Sequence, residues 1–225
     1  MALSCRPVGG ERLASVGVDH LGLAFDRGWA LFRAGTNDGL TARRTPELLF
    51  ASASVVDGDV VVTLPSGQQV NDDDSLSAWL GFDVELRRAS DSGGTYEVPL
   101  DFETDSNWVS WTGPGGAFHD SARARVSIVS TSTLGDWDVR RFRTNIVVDG
   151  SGEDAFVGSS ISVGESTMDV IKQIDRCVMI TRPQPGLEKN LDLLKFINRE
   201  RATFLSIGAN PTGPATIALG DEVQA

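Results

Sequence analysis

Residues 173–183 read QIDRCVMITRP. How this stretch is built decides the second half of the chain. After Asp175 and Arg176 comes an apolar run, Cys177-Val178-Met179-Ile180-Thr181. Its β-branched residues suit a pleated surface, so it predicts a strand that begins on the cysteine. Cys177 then has two readings. It is a small hydrophobe filling a core, or its sulfur is a reactive centre. A guanidinium beside a thiol favours the thiolate, which is both nucleophile and soft-metal ligand. The only other cysteine is Cys5. Two cysteines make no disulfide framework, so a reducing compartment is expected.

Two further segments also place a basic residue before an apolar strand. RRFRTNIVVDG (140–150) sets Arg143 and Asn145 ahead of Ile146-Val147-Val148. FDRGWALFR (25–33) sets Arg27 ahead of WALFR. Strand starts gather at one end of a sheet or barrel. Three such lips, carrying Arg27, Arg143 with Asn145, and Arg176 with Cys177, are expected to converge on one anionic ligand. The chain has 17 Arg against 3 Lys. Codon bias accounts for the excess, but the positions carry the argument, because guanidinium is a fork that grips phosphate or carboxylate bidentately.

The remaining chain predicts a mainly β fold with a few short helices. Turn residues are dense, with 24 glycines in 225 residues. Val60, Val62 and Leu64 alternate as in a half-buried strand, and Asp57-Gly58 ahead of them is a hairpin signal. DDDSLSAWLG (72–81) predicts a short helix with acids at its positive end. Those three aspartates cap and solvate rather than cage a metal. GLEKNLDLLKFINRER predicts a helix with Leu187, Leu191 and Leu194 on its apolar face. A polar connector at 89–104 suggests two parts, 1–90 and 91–225.

A net charge of −11 argues against nucleic acid and acidic membranes as partners. No apolar run approaches the roughly 20 residues that span a bilayer, and MALSC lacks the segments of a secretory signal. A soluble, cytoplasmic protein is expected. His20 and His119 are the only histidines, which disfavours a His-rich zinc site. GPGGAF (113–118) has neither the Lys nor the Ser/Thr of a phosphate loop. A Cys177–His119 pair stays open as a nucleophile with its base.

Taken together, RRFRTNIVVDG and DRCVMITRP resemble the MOSC domain, a family named for the C-terminal domain of molybdenum cofactor sulfurase. FHDSARARVSIVSTSTL (118–134) is similar to its F-x-D…SL segment, and IALGDEV (217–223) to its closing strand. Residues 10–32 and 41–52 resemble the β-barrel module that precedes MOSC in amidoxime-reducing and related bacterial proteins. The resemblance implies a β-barrel MOSC fold behind an N-terminal β module. It implies a molybdenum cofactor (molybdopterin) with molybdenum bound to the Cys177 sulfur. Arg143 and Asn145 match the pair on the pterin phosphate, and Arg176 matches the arginine before the metal cysteine. Arg27, Asp120 and Ser121 are implied as further cofactor contacts. Family members begin with Y-P-V-K-S. Here LSCRPVGGERL (3–13) puts Arg6 and Pro7 in place of Lys and Ser by one alignment, and drops that step by another.

The activity implied is reduction of N-hydroxylated or N-oxygenated small molecules. No flavin, haem or iron–sulfur motif is present, so electrons are expected from a separate donor protein. A second reading is a sulfur-carrier or cofactor-handling protein, in which Cys177 holds a persulfide or accepts the cofactor. A third is a binding module whose cysteine is merely packed.

Overall fold

The computed structural model describes residues 3–5, 13–101, 106–119 and 123–224. Arg6, Pro7, Asp120 and Ser121 lie outside the described residues. By contact the chain forms two compact units. One gathers Met1–Asp26, Ser121–Arg182 and Lys189–Ala225, and the other gathers Arg27–Asp120 with Pro183–Glu188.

The chain enters the first unit through β1 (Leu3–Cys5), β2 (Ser15–Asp19) and β3 (Gly22–Leu23). It then builds the second unit. β4 is Trp29–Arg33, and a 3-10 turn, Pro46–Phe50, precedes β5 (Ser52–Val56) and β6 (Asp59–Thr63). β7 (Gln69–Val70), α1 (Asp73–Leu80), β8 (Val84–Arg88), β9 (Thr95–Asp101) and β10 (Ser106–Thr112) follow. The hairpin at Asp57-Gly58 forms as expected. Both residues take positive φ, 52° and 85°, matching the twist that a two-residue hairpin requires. Val60, Val62 and Leu64 are buried, and with Val70, Leu76 and Val84 they make this unit's core. Asp72 caps α1, its carboxylate accepting from the Ser75 amide at 2.8 Å.

Residues 89–104 are more than a connector. They contain β9, which pairs with β10 from Asp101↔Ser106 to Thr95↔Thr112. Gly93, Gly94 and Pro99 hide this strand from a reading by alternation. What holds the ribbon is cross-strand contact: Tyr96 stands opposite Trp111, with ring centroids 6.2 Å apart.

Returning to the first unit, the chain forms β11 (Val126–Ser130), α2 (Thr131–Leu134), a 3-10 turn at Val139–Arg141 and β12 (Ile146–Val148). β13 (Ser160–Val163), β14 (Ser166–Asp175), α3 (Leu191–Arg201), β15 (Phe204–Pro211), β16 (Ala215–Ala218) and β17 (Val223–Gln224) complete it. Seven strands lie in the order β1-β12-β11-β15-β14-β13-β17, a nearly closed barrel sheet. Strands β16, β2 and β3 form a second sheet. Inward residues alternate along the strands. Met168 and Val170 join Val126, Ile128, Ile146, Ile161 and Ile207 in one apolar core. Burying each such side chain contributes about 1.5–3 kcal/mol.

β11 and β12 are parallel, pairing Ile128 with Ile146, in a sheet otherwise antiparallel. Parallel neighbours need a crossover. Residues 131–145 are that crossover, and Arg143 and Asn145 sit at its end.

Two expectations are corrected here. Cys177 does not begin a strand. β14 ends at Asp175, and Val178–Thr181 is a 3-10 turn with Cys177 at its N-cap. The Arg176 amide still donates to the Thr203 carbonyl at 2.9 Å, but the chain then turns away. Ile180 enters a second core with Val129, Phe142, Val147, Leu193, Ile197 and Leu205. The run is apolar because it packs there, and its length of one turn leaves strand and helix indistinguishable by periodicity. The apolar face of α3 is also shifted. Asn190 caps the helix on the Leu193 amide, so Leu187 lies outside it. Leu193 and Ile197, four apart, are buried, whereas Leu191 is 51% exposed. Among the described residues no helix is long and apolar enough to cross a membrane.

Candidate functional site

In the first unit, the crossover and the turn after β14 hold each other by exchanged arginines. From the turn, Arg176 Nη2 donates to Thr144 Oγ1 at 3.1 Å and also to Ser206 Oγ. From the crossover, Arg141 Nη1 donates to the carbonyls of Ile180 and Arg182, each at 3.4 Å. Thr144 and Ser206 are buried. Charge-assisted hydrogen bonds of this kind are the stronger class. They link Cys177 to the segment carrying Arg143 and Asn145.

Cys177 is a free cysteine, half-buried. As N-cap of its turn it makes no side-chain cap hydrogen bond. It is therefore not sealed in the core.

Arg143 is exposed at the crossover's end, with φ 51°. A non-glycine residue in the left-handed region carries strain, of the kind that collects at functional sites. Arg27, in the second unit, shares this conformation at φ 55°. Its carbonyl accepts from the Phe118 amide at 2.8 Å.

Asn145 is buried, with 2% of its surface exposed. Its Oδ1 accepts from the Ser127 amide at 3.0 Å and from Ser127 Oγ at 2.9 Å. Its own amide donates back to Ser127 Oγ at 3.0 Å. Its Nδ2 donates to Asp26 Oδ2 at 3.0 Å. The side chain thus fixes the starts of β11 and β12. One Nδ2 proton lies on Asp26, and an amide nitrogen carries two.

Four of the predicted residues therefore belong to one unit: Arg143, Asn145, Arg176 and Cys177. Thr144, Ser206, Asp26, Ser127 and Arg141 complete their setting. Thr144 and Arg141 stood inside the quoted motif, and Asp26 stood beside Arg27. Ser206 carried no sequence signal.

Among the described residues no group of three or more His, Cys, Asp or Glu could hold a metal ion. One thiolate does not retain a bare ion. It does suit a metal that arrives with its other donors already attached to an organic chelate, and exposed guanidinium suits that chelate's phosphate. The residues present fit a molybdenum–pterin group on these grounds.

Residues 113–224 match the family model of the MOSC domain, a family associated with the molybdenum cofactor. No curated protein matches the chain. Among solved structures, YuaD from Bacillus subtilis is 12% identical, with TM-score 0.49 over 99% of this chain and 94% of that one. YiiM from Geobacillus stearothermophilus is 14% identical, with TM-score 0.38 over 60% and 73% of the two chains.

Proposed function

We propose, from the premise that residues 113–224 belong to the MOSC domain family, that this chain is a molybdenum-cofactor oxidoreductase. Its substrates are N-hydroxylated or N-oxygenated small molecules, and a separate redox protein supplies the electrons. The observation that carries the reading is Cys177. It is a free, half-buried thiol on a turn that Arg176 ties to the Arg143–Asn145 segment through Thr144.

The cofactor, when bound, supplies two-electron removal of an oxygen atom from an N–O group. The chain's own residues do the rest. Cys177 presents its sulfur as the single protein donor to the metal. Arg176 and Arg141 hold the turn, so that sulfur keeps one position. The Arg143 fork and the second amide proton of Asn145 grip the phosphate. The family resemblance implies Arg27, Asp120 and Ser121 as further contacts. The acidic surface, net −11 over the chain, steers a donor protein that carries a basic patch.

Metal and pterin content test this. Protein made in a host that synthesises the cofactor should carry close to one molybdenum and one pterin per chain. Cys177→Ala should lose the sulfur-coordinated metal signal while the fold persists. Unchanged metal coordination in that variant overturns the reading. A metal-free chain bearing a Cys177 persulfide would instead make it a sulfur carrier.

A further inference from the structure

Arg125 stands just ahead of β11, inside the 118–134 segment but not among the residues to which the resemblance gives a role. Its backbone is well anchored: the amide donates to the Ala209 carbonyl at 3.1 Å and to Asn210 Oδ1 at 3.0 Å. Of its side chain, Nη1 is buried and has no hydrogen-bond partner among the described residues. A guanidinium nitrogen removed from water without a partner is costly, and such groups in folded proteins have a reason. This chain has 31 Asp and Glu against 20 Lys and Arg, so carboxylates are not scarce. Arg44, Arg87, Arg140, Arg199 and Arg201 all find one.

The register says where Arg125 stands. β11 and β12 run parallel with Ile128 beside Ile146. Three residues back in sequence are Arg125, one residue before β11, and Arg143, at the end of the crossover that leads into β12. Strand alternation puts Arg125 on the same face as Ser127, whose hydroxyl bonds Asn145. Gly22 lets β3 pass close to this point. With φ 114°, it would place a Cβ 3.0 Å from the Arg125 carbonyl oxygen.

We propose that Arg125 is an anion-binding residue, a second guanidinium that takes the phosphate group of the ligand together with Arg143. The shared chemistry is a phosphate monoester. The proposed function makes it the cofactor's phosphate, and the inference rests on that reading only for this source. A free phosphate ester is the other source.

Two measurements on the full chain test it. The first is thermal unfolding of cofactor-free protein with and without inorganic phosphate, which stabilises a chain that binds it. Wild type should gain in Tm. Arg125→Gln should lose that gain, with phosphate affinity weaker by about tenfold or more and an equal or higher Tm without phosphate. Arg125→Lys should recover part of it. Arg88→Gln, at an exposed arginine stacked on Trp29 in the second unit, should respond as wild type. A gain equal in Arg125→Gln and wild type, or none in wild type, overturns the assignment. The second measurement is pterin content after expression with the cofactor. Loss in Arg125→Gln, with pterin present in wild type, identifies the cofactor's phosphate. Equal pterin in both overturns the assignment and leaves the Cys177 reading standing. No pterin in either, with an Arg125-dependent phosphate response, leaves Arg125 as a site for a free phosphate ester and overturns the cofactor reading instead.

Discussion

Arg176 and Thr144 join the two motifs through one bond, guanidinium Nη2 to hydroxyl Oγ1 at 3.1 Å. Thr144 lies in the RRFRTNIVVDG stretch, flanked by Arg143 and Asn145. β12 and β14 are not neighbours in the sheet, with β11 and β15 between them, so this bond ties the crossover directly to the end of β14.

Thr144→Val tests that bond with little change of volume. Thr144 is 1% exposed, so the variant leaves a half-buried charged donor short of one acceptor. We expect a loss of about 1–3 kcal/mol in denaturant unfolding. Cofactor retention should fall further than stability, because the turn bearing Cys177 loosens. Equal stability and equal retention would remove Thr144 from the site.

Arg143→Gly separates strain from function. At φ 51° an arginine costs about 1 kcal/mol that glycine does not. The variant should unfold at the same or higher denaturant concentration, yet retain less pterin. A variant that loses stability and keeps its pterin would show that Arg143 serves the fold.

Asn145→Asp should damage the lip in a pH-dependent way. Nδ2 lies 3.0 Å from Asp26 Oδ2, so a carboxylate there faces a carboxylate. Repulsion raises the folded-state pKa of the pair. The penalty is then full above that range and shrinks as the pH falls and one carboxyl takes a proton. Unfolding curves of variant and wild type should converge on acidification. A constant gap would count against like-charge repulsion.

Asp72 has the opposite sign. Its hydrogen bond from the Ser75 amide, at the start of α1, lowers its pKa from the ordinary aspartate value. That contribution is present above the unfolded-state pKa and is lost as pH falls through the lower, folded one. Asp72→Asn keeps the cap and should remove this part of the acid sensitivity. The check is Tm against pH for both proteins.

Sequence made the β architecture legible wherever local chemistry dictates structure. Asp57-Gly58 forms its hairpin, WALFR spans β4 as quoted, and Asp72 caps its helix. It misled where tertiary packing decides. Val178 to Thr181 is apolar enough for a strand and short enough for a single turn, and only its place against Leu193 and Ile197 settles the matter. β9 failed for the converse reason, since glycines precede it and a proline interrupts it, while its stability comes from the ribbon opposite. The arginines before Ile146 and Cys177 were visible as residues. Their mutual tether was not, because Ser206 and the carbonyls of Ile180 and Arg182 have no motif.

β2 pairs with β16, Val18 opposite Ala215, so the two strands of one ladder lie nearly a whole chain apart. During synthesis the early strand must wait for the late one, while the hairpins of Arg27–Asp120 already have all their partners. Contacts of such separation slow folding and prolong the exposure of apolar edges. A ribosome pausing before residue 215 would leave β2 and β3 without β16 while six of the seven strands of the larger sheet were already made, and a chaperone would meet the protein in that form.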